Sequence, residues 1–91
     1  MSVAKPRIRA DLEIVEIDGE AVVYDPANGS LHHLNATATV IATLLDGSTT
    51  IRGVAEELAD AYDLPAQEVE PNVRTLIRQL RKLELLEGAR A

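Results

Sequence analysis

Apolar and polar positions along this chain change their period once, near residue 35. Up to there the apolar residues come in short, partly alternating runs; beyond it they recur every three or four residues. In "ADLEIVEIDGEAVVYD" two such runs flank Asp18-Gly19, a two-residue turn signal, because glycine accepts the positive φ that a type I′ turn demands. Strands are predicted over about 11–17 and 20–24. In the first, Leu12 and Ile14 fall on one face and Val15 and Ile17 on the other, which calls for a bulge or for a sheet buried on both sides. "DPANG" is a second turn, with φ preset at Pro26 and left-handed backbone accessible to Asn28-Gly29. A third short strand follows, Ser30–Leu34, and the three form a β-meander.

Asn35 is a suitable N-cap, since its side-chain oxygen can accept from the free N–H groups of a first turn. Val40, Ile41, Leu44 and Leu45 then repeat at helical spacing, and Asp46-Gly47 is the expected stop. Thr50 caps a second helix with Ile51, Val54, Leu58, Ala61 and Tyr62 on its apolar face, ended by Leu64-Pro65. Gly53 lies inside it, at about 1 kcal/mol against Ala. A third, longer helix carries Val73, Leu76, Ile77, Leu80 and Leu83 on one side. Pro71 would cost a hydrogen bond inside that helix. Residues 66–70 are therefore expected as a separate turn or kinked entry, with the regular helix starting near Pro71. The order β-β-β-α-α-α predicts an α+β fold, a winged helix-turn-helix-like domain over residues 9–87. Residues 1–8 are expected to be a flexible N-terminal tail and 88–91 a C-terminal one.

Ninety-one residues suffice for one domain with a modest core. Tyr24 and Tyr62 are the only aromatics, so that core must be aliphatic. Without cysteine there is no disulfide, thiolate nucleophile or cysteine-based metal site. No apolar run approaches the roughly 20 residues of a membrane span, and the N-terminus lacks the apolar stretch of a secretory signal. A cytoplasmic protein without membrane contact is expected. The net charge of −6 is unevenly spread: from Asp11 to Val73 there are thirteen acids and one base, Arg52. Such an acidic body repels polyanions, which argues against nucleic acid.

Candidate chemistry centres on "SLHHL". In a strand, His32 and His33 point to opposite faces and cannot readily share an ion, and no further ligands stand at metal-site spacing. No nucleophile–base–orienter set or phosphate-binding glycine loop is present either. The chain is therefore expected to be no enzyme, to need no cofactor and to bind no metal. What remains is an edge strand without the lysine or proline that usually disguises one. Shortness or a covering helix would make it ordinary; left open, it could accept an extended peptide as a fourth strand. In the third helix, Arg74, Arg78 and Arg81 form one stripe beside Val73, Ile77 and Leu80. That stripe reads equally as a solvated face suited to the helix C-terminus. A DNA-recognition helix is the alternative, although Asn72, Thr75 and Gln79 offer few base-reading groups.

Taken together, "GSLHHLNATATVIATLLDGSTTIRGVAEEL" and "VRTLIRQLRKLELL" resemble the PqqD family, over about residues 11–86. That family is named for the accessory protein of pyrroloquinoline quinone biosynthesis. The resemblance implies a peptide chaperone, a recognition element for ribosomally made and post-translationally modified peptides. It would bind the leader of a precursor peptide and present it to a modifying enzyme, such as a radical S-adenosylmethionine enzyme. It further implies a leader lying antiparallel to the third strand above the third helix. The positions carried over are Ser30, Leu31, His32, His33 and Leu34 on the strand, and Val73, Arg74, Ile77, Arg78 and Arg81 on the helix. Arg52-Gly53 and Pro71 depart from the family pattern. An open edge also permits self-pairing, so a monomer or a weak or domain-swapped dimer is expected. A small DNA-binding regulator is the rival reading, and a purely structural subunit a third.

Overall fold

A computed structural model describes residues 5–87. The hairpin closes where the turn chemistry puts it: Asp18 and Gly19 both take positive φ, 54° and 82°. They join β1 (Glu13–Ile17) to β2 (Glu20–Asp25) in one unbroken antiparallel register, from Ile17 opposite Glu20 to Glu13 opposite Tyr24. No bulge interrupts it. The second turn is held by Asp25, whose carboxylate accepts from the backbone N–H groups of Ala27 (3.1 Å) and Asn28 (3.4 Å) and from Asn28 Nδ2 (2.8 Å). Strand β3 (Ser30–Leu34) then pairs antiparallel with β2, giving a three-stranded sheet in the order β1-β2-β3.

Helix α1 (Ala36–Thr43) starts at Asn35, whose side chain accepts from Ala38 N–H at 2.8 Å. It ends three residues before the predicted stop, because Leu44 turns its N–H back to Ile41 and Leu45 drops into the core. Helix α2 (Ile51–Tyr62) begins at Thr50, which accepts from Gly53 N–H at 3.0 Å. A side chain on Gly53 would come within 2.7 Å of the Thr49 methyl and 3.2 Å of the Thr50 hydroxyl. The residue that looks wrong for a helix is thus the one that fits this cap. At the other end Asp63 adopts left-handed backbone, the place usually given to glycine. The buried face of α2 is Val54, Ala55, Leu58 and Ala59; Ala61 and Tyr62, expected there, face solvent.

Helix α3 runs unbroken from Ala66 to Lys82 with Pro71 inside it. The expected separate turn over 66–70 is therefore corrected to the first stretch of one continuous helix. Pro71 lies one turn from the N-terminus on the exposed side, and its carbonyl accepts from Thr75 Oγ1 at 2.9 Å. Helix α3 packs chiefly on α2, while α1 packs on β2 and β3. The core between them is aliphatic, built from Ala21, Val23, Leu34, Ile41, Leu45, Val54, Leu58, Val69, Val73, Ile77, Leu80, Leu85 and Leu86.

The N-terminal segment is not a tail up to residue 8. Ile8 N–H donates to Leu45 (3.1 Å), Gly47 N–H to Pro6 (3.1 Å), Arg9 N–H to Leu85 (3.0 Å) and Glu87 N–H to Arg7 (2.8 Å). Residues 6–9 thus clamp the α1–α2 connection to the stretch after α3. Residues 1–4 and 88–91, where the outer parts of the expected tails fall, lie outside the described residues.

Candidate functional site

The site is an unpaired strand edge beside a helix. Among the described residues, β3 has a partner strand on one side only. Alternate residues of Ser30–Leu34 therefore direct backbone N–H and C=O groups away from β2. Side chains alternate too: Ser30, His32 and Leu34 share the sheet face that carries buried Ala21, Val23 and Asp25, whereas Leu31 and His33 share the opposite face. Leu34 is in the core, and Leu31 is 68% exposed.

The two histidines are separated as strand geometry requires. His32 Nε2 lies 3.1 Å from Ser30 Oγ, and His33 Nε2 lies 2.7 Å from Glu20 Oε1 across the hairpin. Among the described residues, no group of three or more histidine, cysteine or acidic side chains is placed to hold a metal ion.

Two hollows lie along α3. One, of about 550 Å³, is lined by Ala27 and Asn28 of the β2–β3 turn and by Arg81 and Lys82 at the end of α3, with Arg9, Glu84 and Leu86. The other, of about 220 Å³, is lined by Thr37 and Ile41 of α1, Leu58, Tyr62 and Leu64 around the end of α2, and Val69 and Asn72 of α3. The C-terminal end of α3 is thus next to the start of β3, and its N-terminal half is next to the helix that β3 runs into. The hollow at the C-terminal end of α3 is basic, and the one at its N-terminal half is largely apolar.

The proposed helix positions divide sharply. Val73 and Ile77 are 0% and 1% exposed, so both are core residues and neither is a surface contact. Leu76, which is not among the positions carried over, is a partly exposed apolar side chain on this helix, as is Ala66 at its start. Arg74, Arg78 and Arg81 are exposed. Arg74 pairs with Glu70 at 2.8 Å, Arg78 Nη2 donates to Thr75 Oγ1 at 3.3 Å, and Arg81 lines the basic hollow. The stripe is real, although only part of its charge is free of a local carboxylate.

Arg9 lines the basic hollow. Its Nη1 donates to Asp25 Oδ2 (2.9 Å) and to the Glu84 carbonyl (2.9 Å), its Nη2 to Asp25 Oδ1 (3.1 Å), and it also pairs with Asp11. Asp25 is fully buried, and hydrogen bonds from Arg9 and Asn28 hold its carboxyl down at about 2. No signal short of the fold marks this pair, because its members are sixteen residues apart.

With this geometry in place, three comparisons bear on the chain. The fold resembles TbiB1 in complex with the TbiA(beta) leader peptide, with TM-score 0.79, 27% identity, and coverage of 90% of this chain and 95% of that one. It also resembles lasso peptide synthetase B1 complexed with its leader peptide (TM-score 0.77, 24% identity, 91% and 98% covered). A third likeness is to the solution structure of the PqqD truncation of Methylobacterium extorquens PqqCD, described as a functional and stand-alone recognition element for ribosomally synthesised and post-translationally modified peptides (0.71, 20%, 94% and 95%). The last two show the fold alone. No curated protein sequence matches the chain. The sequence model of the family described as Coenzyme PQQ synthesis protein D (PqqD) matches residues 20–86, well over half of the chain, and on that match this protein belongs to the PqqD family.

Proposed function

We propose that this protein is a non-catalytic peptide-binding module that takes up the leader of a ribosomally made precursor peptide by strand addition. The observation that carries the reading is the open edge of β3, with a basic hollow beside the turn before it and an apolar hollow beside the helix after it; the two hollows are read as the ends of one leader channel along α3. Leader complexes of the similar folds support it. Backbone pairing supplies affinity along Ser30–Leu34, whereas selectivity has to come from the channel walls. A leader antiparallel to β3 would put its earlier residues near Tyr62 and Leu64 and its later ones near Arg81. Val73 and Ile77 shape the floor from below, with Leu76, Arg74, Arg78 and Arg81 as the groups within reach. The module acts in the cytoplasm and hands the leader to a modifying enzyme, a radical S-adenosylmethionine enzyme being the class that the family suggests. A duplex-DNA reading is not favoured, since the body is acidic and Arg74 already has a carboxylate partner.

The test is an amide-shift titration with the leader encoded beside this chain's gene. Shifts are expected along residues 30–34 and on the exposed side of α3 from 72 to 81. Shifts confined to β1 or to α2, with those segments silent, would place the peptide elsewhere and overturn the reading.

A further inference from the structure

The sheet has a second face that nothing in the described residues covers. Register pairs Val15 with Val22 and His33, Glu13 with Tyr24 and Leu31, and Ile17 with Glu20, so all eight side chains share the face opposite the core. On it, Leu31 is 68%, Ile17 60%, Val15 57% and Tyr24 40% exposed. Four large apolar side chains thus lie open across three strands of a 91-residue protein. Apolar groups scattered singly are ordinary on a surface, whereas a contiguous patch marks an interface. A bulge or a sheet buried on both sides was expected of β1; neither is found, and β1 is exposed throughout.

The charges around the patch say what fits it. Glu13 and Glu20 lie on this face and Asp18 at its turn, while its one basic group, His33, is engaged by Glu20. A second copy laid face to face would set acids against acids. An apolar surface rimmed by lysine or arginine meets no such repulsion and gains from steering.

We propose that this outer face, centred on Val15, Ile17, Tyr24 and Leu31, docks the modifying enzyme through an apolar patch with a basic rim. The inference rests on the leader-binding reading and adds the surface by which the leader is handed over. The two sites are continuous. A leader added at β3 becomes a fourth strand whose every second side chain joins the outer face beside Leu31 and His33. The enzyme then touches module and leader at once, so each raises the other's affinity by the same factor.

The experiment uses the full chain, the leader peptide and the purified modifying enzyme encoded beside the precursor, with enzyme binding measured with and without leader. Val15→Ser with Tyr24→Ser changes exposed groups away from the channel. It is expected to leave the thermal midpoint nearly unchanged and leader affinity within about twofold, while enzyme affinity falls at least tenfold. Glu13→Lys is expected to slow enzyme association at low salt without moving leader affinity. Loss of leader binding in the parent chain would strike the leader reading, and the enzyme arm without leader still tests the face. Unchanged enzyme affinity in both variants overturns the proposal. So does sedimentation showing a dimer of the parent chain that the double variant dissolves, since the occupant is then a second copy.

Discussion

Asp25 shows what one residue contributes when the chain closes around it. Fully buried, it ties Arg9, the β2–β3 turn and, through Arg9, the Glu84 carbonyl into one network. Its folded carboxyl is held at about 2, below its ordinary 3.8. A depressed folded value means stability that is present above the unfolded value and is lost as pH falls through the folded one. The Asp25 contribution is therefore complete above about pH 4 and fades towards pH 2. Asp25→Asn is expected to lower the urea midpoint at pH 7, since Arg9 keeps its charge and loses its buried carboxylate partner. It is also expected to flatten the midpoint's decline between pH 4 and 2. Parallel curves for the two proteins across that range would contradict the assignment.

Among the elements, α3 separates floor from rim. Ile77 is 1% exposed and Arg78 is open to solvent, although they are neighbours. Ile77→Ala removes buried methyl and methylene groups, and is expected to cost about 2–5 kcal/mol of unfolding free energy. Arg78→Glu is expected to leave stability within about 0.5 kcal/mol, as exposed substitutions commonly do, and to slow leader association with a weaker salt dependence. Stopped-flow binding beside urea unfolding tells the roles apart. If Arg78→Glu accelerates dissociation alone, the arginine is a seated contact and the rim assignment is wrong.

At the scale of the whole molecule, leader binding and folding are linked. A ligand that binds only the folded chain stabilises it by about 2.7 kcal/mol at a hundredfold excess over Kd. The N-terminal clamp at residues 6–9, the turn at Asp25 and the end of α3 meet at the basic hollow. Saturating leader is expected to raise the thermal midpoint and to slow amide exchange in β3. A midpoint unmoved by leader at a hundredfold excess over a Kd measured on the folded protein would show that the folded channel is not what the peptide selects.

Local chemistry alone determined the element order, the Asp18-Gly19 hairpin, the Asn35 and Thr50 caps and the opposite facing of His32 and His33. Each of these depends on a residue and its near neighbours, so each is legible in the sequence. The strand of the candidate site was legible for the same reason. Only tertiary structure decided that Val73 and Ile77 lie in the core and that Arg9 pairs with Asp25. It also decided that Val15 and Ile17 face solvent and that α3 continues through Pro71. Helical spacing says which residues share a stripe, yet which neighbour covers that stripe is set by packing between segments far apart in the chain. Proline's cost near a helix start was offset by contacts of Val69 and Val73 with the core, which period and propensity do not contain.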